Sequence, residues 1–227
     1  MAFYIRPIDK GDIPQVTDID HEAFPNEWPS PSYYRELKNP IAHYVVVCDA
    51  EKKIEVSEES KGFSRLSLKL KRIFTGNRAV ENESTHSPRE YILGFAGIWL
   101  MADEAHIINI AVRKSYQQKG IGELLLISII DLAVKLDARA IILEVRVSNT
   151  AAQSLYYKYG FTKIGIRRGY YKDNKEDGIM MSLINIDTDP VQENFRRLKE
   201  TYSQKWGLST TSLGTSTGIS PAQPDNQ

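Results

Sequence analysis

Between residues 105 and 147 the chain passes without a break through a strand, a glycine-rich loop, an apolar helix and a second strand. This block restricts the fold more than any other stretch. Ala105–Val112 (Ala-His-Ile-Ile-Asn-Ile-Ala-Val) has the β-branched content of a buried strand. Gln117-Gln118-Lys119-Gly120-Ile121-Gly122-Glu123 interrupts it, and Gly120–Leu136 reads as a strongly apolar helix opened by glycines. Arg139–Val147 is a near-continuous apolar strand, the pattern expected where both faces are covered. Upstream, Tyr91–Met101 meets the first of these strands through Ala102-Asp103-Glu104, a tight turn that makes the pair an antiparallel hairpin. A hairpin running into a strand–helix–strand crossover requires one mixed sheet.

The flanking sequence supplies the remaining elements. Phe3–Ile8 is β-rich and is stopped by Asp9-Lys10-Gly11-Asp12. Ile13, Val16, Ile19, Ala23 and Phe24 then fall at helical spacing behind an acidic cap at Asp12. Pro25, Pro29 and Pro31 break that helix, and Pro31–Lys38 predicts a short second one with proline in its first turn. His43–Cys48 is a strand. Asn149–Tyr159 is a helix ended by Gly160, and Phe161–Arg167 and Gly178–Ile186 are strands on either side of the polar turn Lys172–Asp177. Asp189-Pro190 caps a last helix reaching about Trp206, with Phe195, Leu198, Tyr202 and Trp206 on one face. Residues 51–90 read as a charged insertion between two strands, partly disordered. Within it Lys61, Arg65, Lys69, Lys71, Arg72 and Arg78 follow one another with no acid between them, beside an apolar stripe of Phe63, Leu66, Leu70, Ile73 and Phe74. That insertion, 61–78 above all, either docks on an anionic surface or packs one stripe on the domain. Residues 207–227 are polar and predict a disordered tail. The fold class is α+β: one domain over 1–187, a mixed, mostly antiparallel sheet of about seven strands flanked by helices, and a C-terminal helix over 188–206.

Composition narrows the function. Among 227 residues, 29 Lys+Arg balance 29 Asp+Glu, which argues against a surface built as a whole for phosphate backbones, and no direct nucleic-acid partner is expected. The one cysteine, Cys48, excludes an internal disulfide framework and a multi-cysteine zinc site. His21, His43, His86 and His106 lack an H-x-x-x-H spacing, so no metal is assigned. No apolar run approaches the ~18 residues of a membrane helix. The start carries no secretory pattern, and a cytoplasmic protein is expected.

The loop 117–123 has its own chemistry. Glycines let a ligand approach the backbone, and the free amides of a helix start offer donors and partial positive charge, an arrangement that fits a pyrophosphate. Gly120-Ile121-Gly122-Glu123-Leu124-Leu125 is a near miss for the dinucleotide fingerprint, and Glu144 lies where a ribose-binding acid would stand. Against that reading, the third glycine is Leu125, Glu144 sits inside its strand, and the preceding strand closes a hairpin whereas the dinucleotide unit is parallel. No Gly-Lys-Ser/Thr follows, which excludes a P-loop. A glycine-rich helix start with no ligand is the plain alternative.

Gln117-x-x-Gly120-x-Gly122 resembles the Q/R-x-x-G-x-G/A signature of the GCN5-related N-acetyltransferases (GNAT). Residues 109–184 are similar, more closely, to the bacterial ribosomal-protein alanine N-acetyltransferases. The matching pieces include Asn109-Ile110-Ala111-Val112, Leu143-Glu144-Val145-Arg146, Ser148-Asn149-Thr150-Ala151-Ala152, Leu155-Tyr156, Gly160-Phe161, Arg168-Gly169-Tyr170-Tyr171 and Asp177-Gly178-Ile179-Met180-Met181. Residues 51–90 and those after about 187 lie outside that pattern. The resemblance implies a sheet splayed between its fourth and fifth strands, with the pantetheine of acetyl-CoA in the gap between the strands of Ile110 and Glu144. The segment Ile110-Ala111-Val112 would pair with it through the main chain of Ile110 and Val112. Gln117, Gln118, Lys119, Gly120, Ile121, Gly122 and Glu123 would hold the pyrophosphate, and Asn149 would bond the pantetheine arm. The implied activity is acetyl transfer from acetyl-CoA to a protein N-terminal α-amine, that of a small-subunit ribosomal protein.

Such transfer needs a neutral amine. An α-amino group has a pKa of ~7.7–8.0, so only about a tenth is neutral at pH 7, and a carboxylate can take the proton directly or through one water. Glu144, an acid within Ile141-Ile142-Leu143-Glu144-Val145, is the candidate base; the bland alternative is a salt bridge with Arg146 two residues on. For a donor to the leaving thiolate, Tyr156, Tyr157 and Tyr159 lie close together, and the family pattern selects Tyr156. Tyr170 and Tyr171, and more weakly Trp28, are candidates for the acceptor groove, or else exposed aromatics. Two other functions fit the same residues: acetylation of a small-molecule amine or a lysine, and a non-catalytic acyl-CoA-binding module.

Overall fold

The computed structural model describes residues 3–25, 32–54 and 89–207. In chain order the elements are β1 (Phe3–Pro7), α1 (Ile13–Ala23), α2 (Tyr33–Glu36), β2 (Ala42–Ile54), β3 (Arg89–Met101), β4 (Glu104–Val112), α3 (Ile121–Lys135), β5 (Ala140–Arg146), α4 (Thr150–Lys158), β6 (Thr162–Tyr171), β7 (Glu176–Ile184) and α5 (Asp189–Trp206). The seven strands form one sheet in the order β1-β2-β3-β4-β5-β7-β6. Every neighbouring pair is antiparallel except β4 and β5. That exception is the crossover through α3, since parallel neighbours need a long connection.

Alternation along the strands builds two cores. On β2, Val45 and Val47 face α3, while Tyr44, Val46 and Cys48 face α1 and α2. Both faces are covered, which is why this run is continuously apolar. Ile13, Val16 and Ile19 of α1 close one side together with Tyr33, whose ring meets Tyr44 and Phe95 edge-on at 5.8 and 5.7 Å. On the other side α3 is buried almost all round, from Leu124 to Ile130, the mark of a core helix. Its outer side is covered by α5 through Phe195, Leu198, Tyr202 and Trp206, the face expected from their spacing. Lys199 clasps Asp131 of α3 at 2.8 and 2.9 Å.

Several local expectations change. Asp12 is the N-cap residue of α1, but its side chain makes no cap bond to the helix. Asp9 caps a preceding turn of 3-10 helix, Lys10–Asp12, while the Asp12 carboxylate accepts from the Asp9 N–H and takes both terminal nitrogens of Arg6 at 2.6 and 2.9 Å. A fork-shaped guanidinium outcompetes a lone helix N–H for a carboxylate. β2 runs on to Ile54 and β3 starts at Arg89, with Ile54 opposite Arg89, so both ends of the expected insertion are strand. Its basic run lies outside the described residues, as do Trp28 and the tail beyond Gly207. β5 is covered on one face only: Ile141, Leu143 and Val145 are buried, whereas Ile142, Glu144 and Arg146 are partly exposed. β6 extends to Tyr171, so Tyr170 and Tyr171 belong to a strand.

Candidate active site

The sheet opens where a strand can no longer keep register. β4 and β5 pair only through Glu104–Ala140, Ala105–Ile141 and His106–Ile142. Immediately beyond, β4 carries a bulge: Ile107 lies opposite Ile98 and Asn109 opposite Gly97, leaving Ile108 without a partner on β3. A bulge bends its strand and inverts the side-chain alternation. Ala105 and Ile107 accordingly face the α3 core, but Asn109 and Ala111 face α1, and Ile110 and Val112 turn to the α3 side. The Arg113 N–H donates to the Leu93 carbonyl at 2.9 Å, which fixes the hydrogen-bonding phase of the strand. By alternation the main-chain groups of Ile110 and Val112 point away from β3, across the split toward β5.

The loop after β4 ends in a helix start without a side-chain cap. Gln118 and Gly120 adopt left-handed backbone, φ +60° and +81°, and Gly120 is the N-cap of α3. The Gln117 amide donates to the Val112 carbonyl at 3.3 Å, and Lys119 reaches back to the Ser115 carbonyl at 3.1 Å. Gly120 and Gly122 have different reasons to be glycine. A Cβ on Gly120 would stand 2.4 Å from the Trp206 indole, whereas one on Gly122 would meet only Val112 Cγ2, at 3.9 Å. Nothing among the described residues demands glycine at 122, where alanine would be the better helix former by ~1 kcal/mol. Its bareness leaves the first turn of α3 open to an approaching ligand. Glu123 is otherwise employed: its carboxylate accepts from Tyr159 at 2.8 Å and from Lys158, tying α3 to α4.

Glu144 is the first acid on β5 beyond the last β4–β5 pair. It shares the α1-side face with Ile142 and Arg146, and its side chain is 17% exposed. Its ion-pair partner is Arg167 of β6, at 3.2 Å, and not Arg146. Arg146 instead binds Asp173 and Glu176, each at 2.9 Å, and lies over the Tyr171 ring at 4.0 Å. Glu176 also accepts from the Ser148 N–H at 2.7 Å, and hydrogen bonds from the Ser148 side chain first, then from the Ser148 backbone, Arg146 and Asn174, hold its carboxyl down at about 2. Tyr156 is buried in the α3-side core with its ring 5.7 Å from Phe161, and burial alone pushes its hydroxyl up to about 12. Tyr157 is exposed and Tyr159 is bonded to Glu123, so the three neighbouring tyrosines have separate environments. Glu144 and Tyr156 thus belong to opposite faces of the sheet. Asn149 caps α4, its side-chain oxygen accepting from the Ala152 N–H at 3.1 Å. Tyr170 and Tyr171 pack edge-on at 5.1 Å and are half-buried.

Two groups beside the split escaped the sequence reading. Tyr33 donates to Asp20 at 2.8 Å and accepts from the Asn109 amide at 3.3 Å, and its ionisation is pushed far up, chiefly by burial. The Asn109 side-chain oxygen is buried with no partner among the described residues. Only the bulge at Ile108 brings Asn109 to this face, and no local pattern announces a bulge. A cleft of about 720 Å³ lined by Asp131, Asp189, Phe195 and Lys199 lies between α3 and α5 and contains none of these residues. Among the described residues no group of three or more His, Cys, Asp or Glu is placed to hold a metal, and no helix is long and apolar enough to cross a membrane.

Comparison with known proteins places the fold among solved structures. A Bacillus subtilis (strain 168) protein, provisionally named a ribosomal protein bS18-alanine N-acetyltransferase, is 34% identical over 178 residues, 78% of this chain and 92% of its own length. The crystal structure of the ribosomal-protein-S18-alanine N-acetyltransferase from Escherichia coli superposes with a TM-score of 0.59 at 25% identity, covering 81% of this chain and 94% of that one. A GNAT family acetyltransferase from Elizabethkingia anophelis, solved with acetyl-CoA bound, shares the fold with a TM-score of 0.54 at 20% identity over 80% of this chain and 97% of its own. The model of the acetyltransferase (GNAT) family matches residues 13–161, and the chain belongs to that family.

Proposed function

We propose that the chain transfers the acetyl group of acetyl-CoA to the α-amine of a protein N-terminus, the N-terminal alanine of the small-subunit ribosomal protein bS18. The observation that carries the cofactor half is the split: two unpaired main-chain edges on β4 and β5 lead to an uncapped helix start at Gly120–Gly122. Ile110 and Val112 would pair with the pantetheine as an added strand would. The backbone N–H groups from Gln118 to Gly122 would hold the diphosphate, the Gln117 N–H already donating to the Lys114 carbonyl at 3.3 Å, with Lys119 supplying charge. Asn149, whose oxygen is used as a cap, would offer its amide N–H. Glu123, already neutralised by Lys158, would contribute only its main chain. The acceptor half rests on likeness to the two bS18-alanine N-acetyltransferases.

In the transfer the amine nitrogen bonds to the acetyl carbonyl carbon, the carbon–sulfur bond breaks, and the amine proton is lost. Glu144 would receive that proton, directly or through a water, from an amine arriving on the α1 face. Arg167, itself half-exposed, balances the carboxylate at 3.2 Å and would yield to an incoming ammonium. Tyr156, on the other face, stays protonated at neutral pH with its hydroxyl near 12. It would therefore stabilise the departing sulfur by donating a hydrogen bond. Full proton transfer to a thiolate would be uphill, since thiols have pKa values of ~8.5. Tyr170 and Tyr171 would line the peptide's path. The test is thiol release from acetyl-CoA with peptides that begin with alanine, carrying a free or a blocked N-terminus. Release with the free peptide alone supports the reading. Equal release with a lysine-bearing blocked peptide, or coenzyme A binding without turnover, contradicts it.

A further inference from the structure

The last helix brings two side chains onto the loop 117–123, and both lie outside the segment matched to the family, 13–161. Tyr202 is buried, and its hydroxyl donates to the Gly120 carbonyl at 3.2 Å. The same oxygen accepts the first helical bond of α3, from the Leu124 N–H at 2.9 Å. That carbonyl and the Ile121 N–H are the two ends of one planar peptide group and point in opposite directions. Holding the oxygen from behind therefore aims the N–H outward, and this N–H is among those that no helical carbonyl satisfies. Trp206 occupies the other side. Its indole fills the space a Cβ on Gly120 would need, 2.4 Å from Cε2 and 2.7 Å from Nε1, and Nε1 is buried without a partner among the described residues. Among the described residues the ring is placed by its packing. Lys199, on the same helix, anchors α5 to α3 without touching the loop.

We propose that Tyr202 and Trp206 are positioning residues for diphosphate recognition: they set the Gly120–Ile121 peptide plane so that its N–H faces the cofactor's diphosphate. This rests on the reading that loop 117–123 binds that diphosphate. The full chain and its Tyr202→Phe, Trp206→Ala, Trp206→Phe and Lys199→Gln variants are compared with acetyl-CoA and with acetyl-pantetheine, which lacks the diphosphate and nucleotide. In Tyr202→Phe the KM for acetyl-CoA should rise about three- to tenfold, the weight of one neutral hydrogen bond. Trp206→Ala should raise it further, and Trp206→Phe should recover most of the loss. The kcat/KM for acetyl-pantetheine should move less than twofold, and Lys199→Gln should lower the melting temperature while leaving both KM values in place. Calorimetry with coenzyme A reads the same order of affinities without any acceptor. Folded Tyr202→Phe and Trp206→Ala proteins with unchanged coenzyme A affinity, or with equal losses on both acetyl donors, would overturn the proposal while leaving the cofactor reading intact. A wild-type chain that binds no coenzyme A would overturn both.

Discussion

Replacing Glu144 by glutamine separates chemistry from folding. The substitution keeps the length of the side chain and leaves Arg167 an acceptor at the site of the present 3.2 Å contact. That ion pair is partly open to water, with 49% of the Arg167 side chain exposed, so its stability contribution is about 0–1 kcal/mol. For a chain of this size the melting temperature should fall by no more than ~2–4 °C. Turnover should fall far more, by ~10²-fold or beyond, because a general base typically contributes 10²–10⁴. The deficit should also depend on pH. An α-amine with pKa ~7.7–8.0 is only about a tenth to a sixth neutral at pH 7 and almost wholly neutral at pH 9.5. The variant, confined to amines already neutral, should therefore regain about six- to tenfold on the wild type over that interval. The assay is thiol release against an alanine-initiated peptide from pH 6.5 to 9.5, paired with thermal melts. A loss under threefold at every pH in a folded variant would refute Glu144 as the base. So would a loss that simply tracks a collapse in melting temperature.

Tyr156→Phe should leave stability nearly unchanged, since the ring keeps its packing in the α3-side core against Phe161, yet it should cost ~10²-fold in kcat. Gly120→Ala should destabilise by ~2–4 kcal/mol in urea titration, from left-handed strain and the 2.4 Å clash with Trp206, and Trp206→Ala should relieve the second part. Gly122→Ala should melt no lower than wild type, while its coenzyme A affinity drops at least fivefold in calorimetry, about 1 kcal/mol. Glu176 has a carboxyl held down at about 2, so its contribution is complete above the unfolded value of ~4.3 and is lost as pH falls through that interval. Acid melts of Glu176→Gln should therefore lie below wild type at pH 6 and converge with it near pH 2.

The elements most visible in the sequence are those set by local chemistry. Three turn residues at 102–104 define a hairpin, Gly160 ends α4 in left-handed backbone, and the apolar stripe of α5 identifies its buried face. What stayed hidden depends on strands distant in sequence. Nothing local states that β7 inserts between β5 and β6, yet that order decides which arginine reaches Glu144. Arg146 is close along the chain but is held by the 173–176 turn, while Arg167 arrives from beyond β7. The bulge at Ile108 is equally silent, because Ile-Ile-Asn-Ile looks the same whether or not the alternation inverts. The glycine loop reads in sequence as a helix start opened by glycines, but Gly120 and Gly122 could be told apart only once α5 was seen packed behind the first.

The central claim is that the opening between β4 and β5 receives coenzyme A. A crystal structure of the chain with coenzyme A tests it most directly. The account predicts the pantetheine alongside Ile110–Val112, opposite Leu143–Val145, with its phosphates on the amides from Gln118 to Gly122. Coenzyme A bound in the α3–α5 cleft, or a β4–β5 ladder zipped beyond His106 and Ile142 with the ligand outside it, would contradict it.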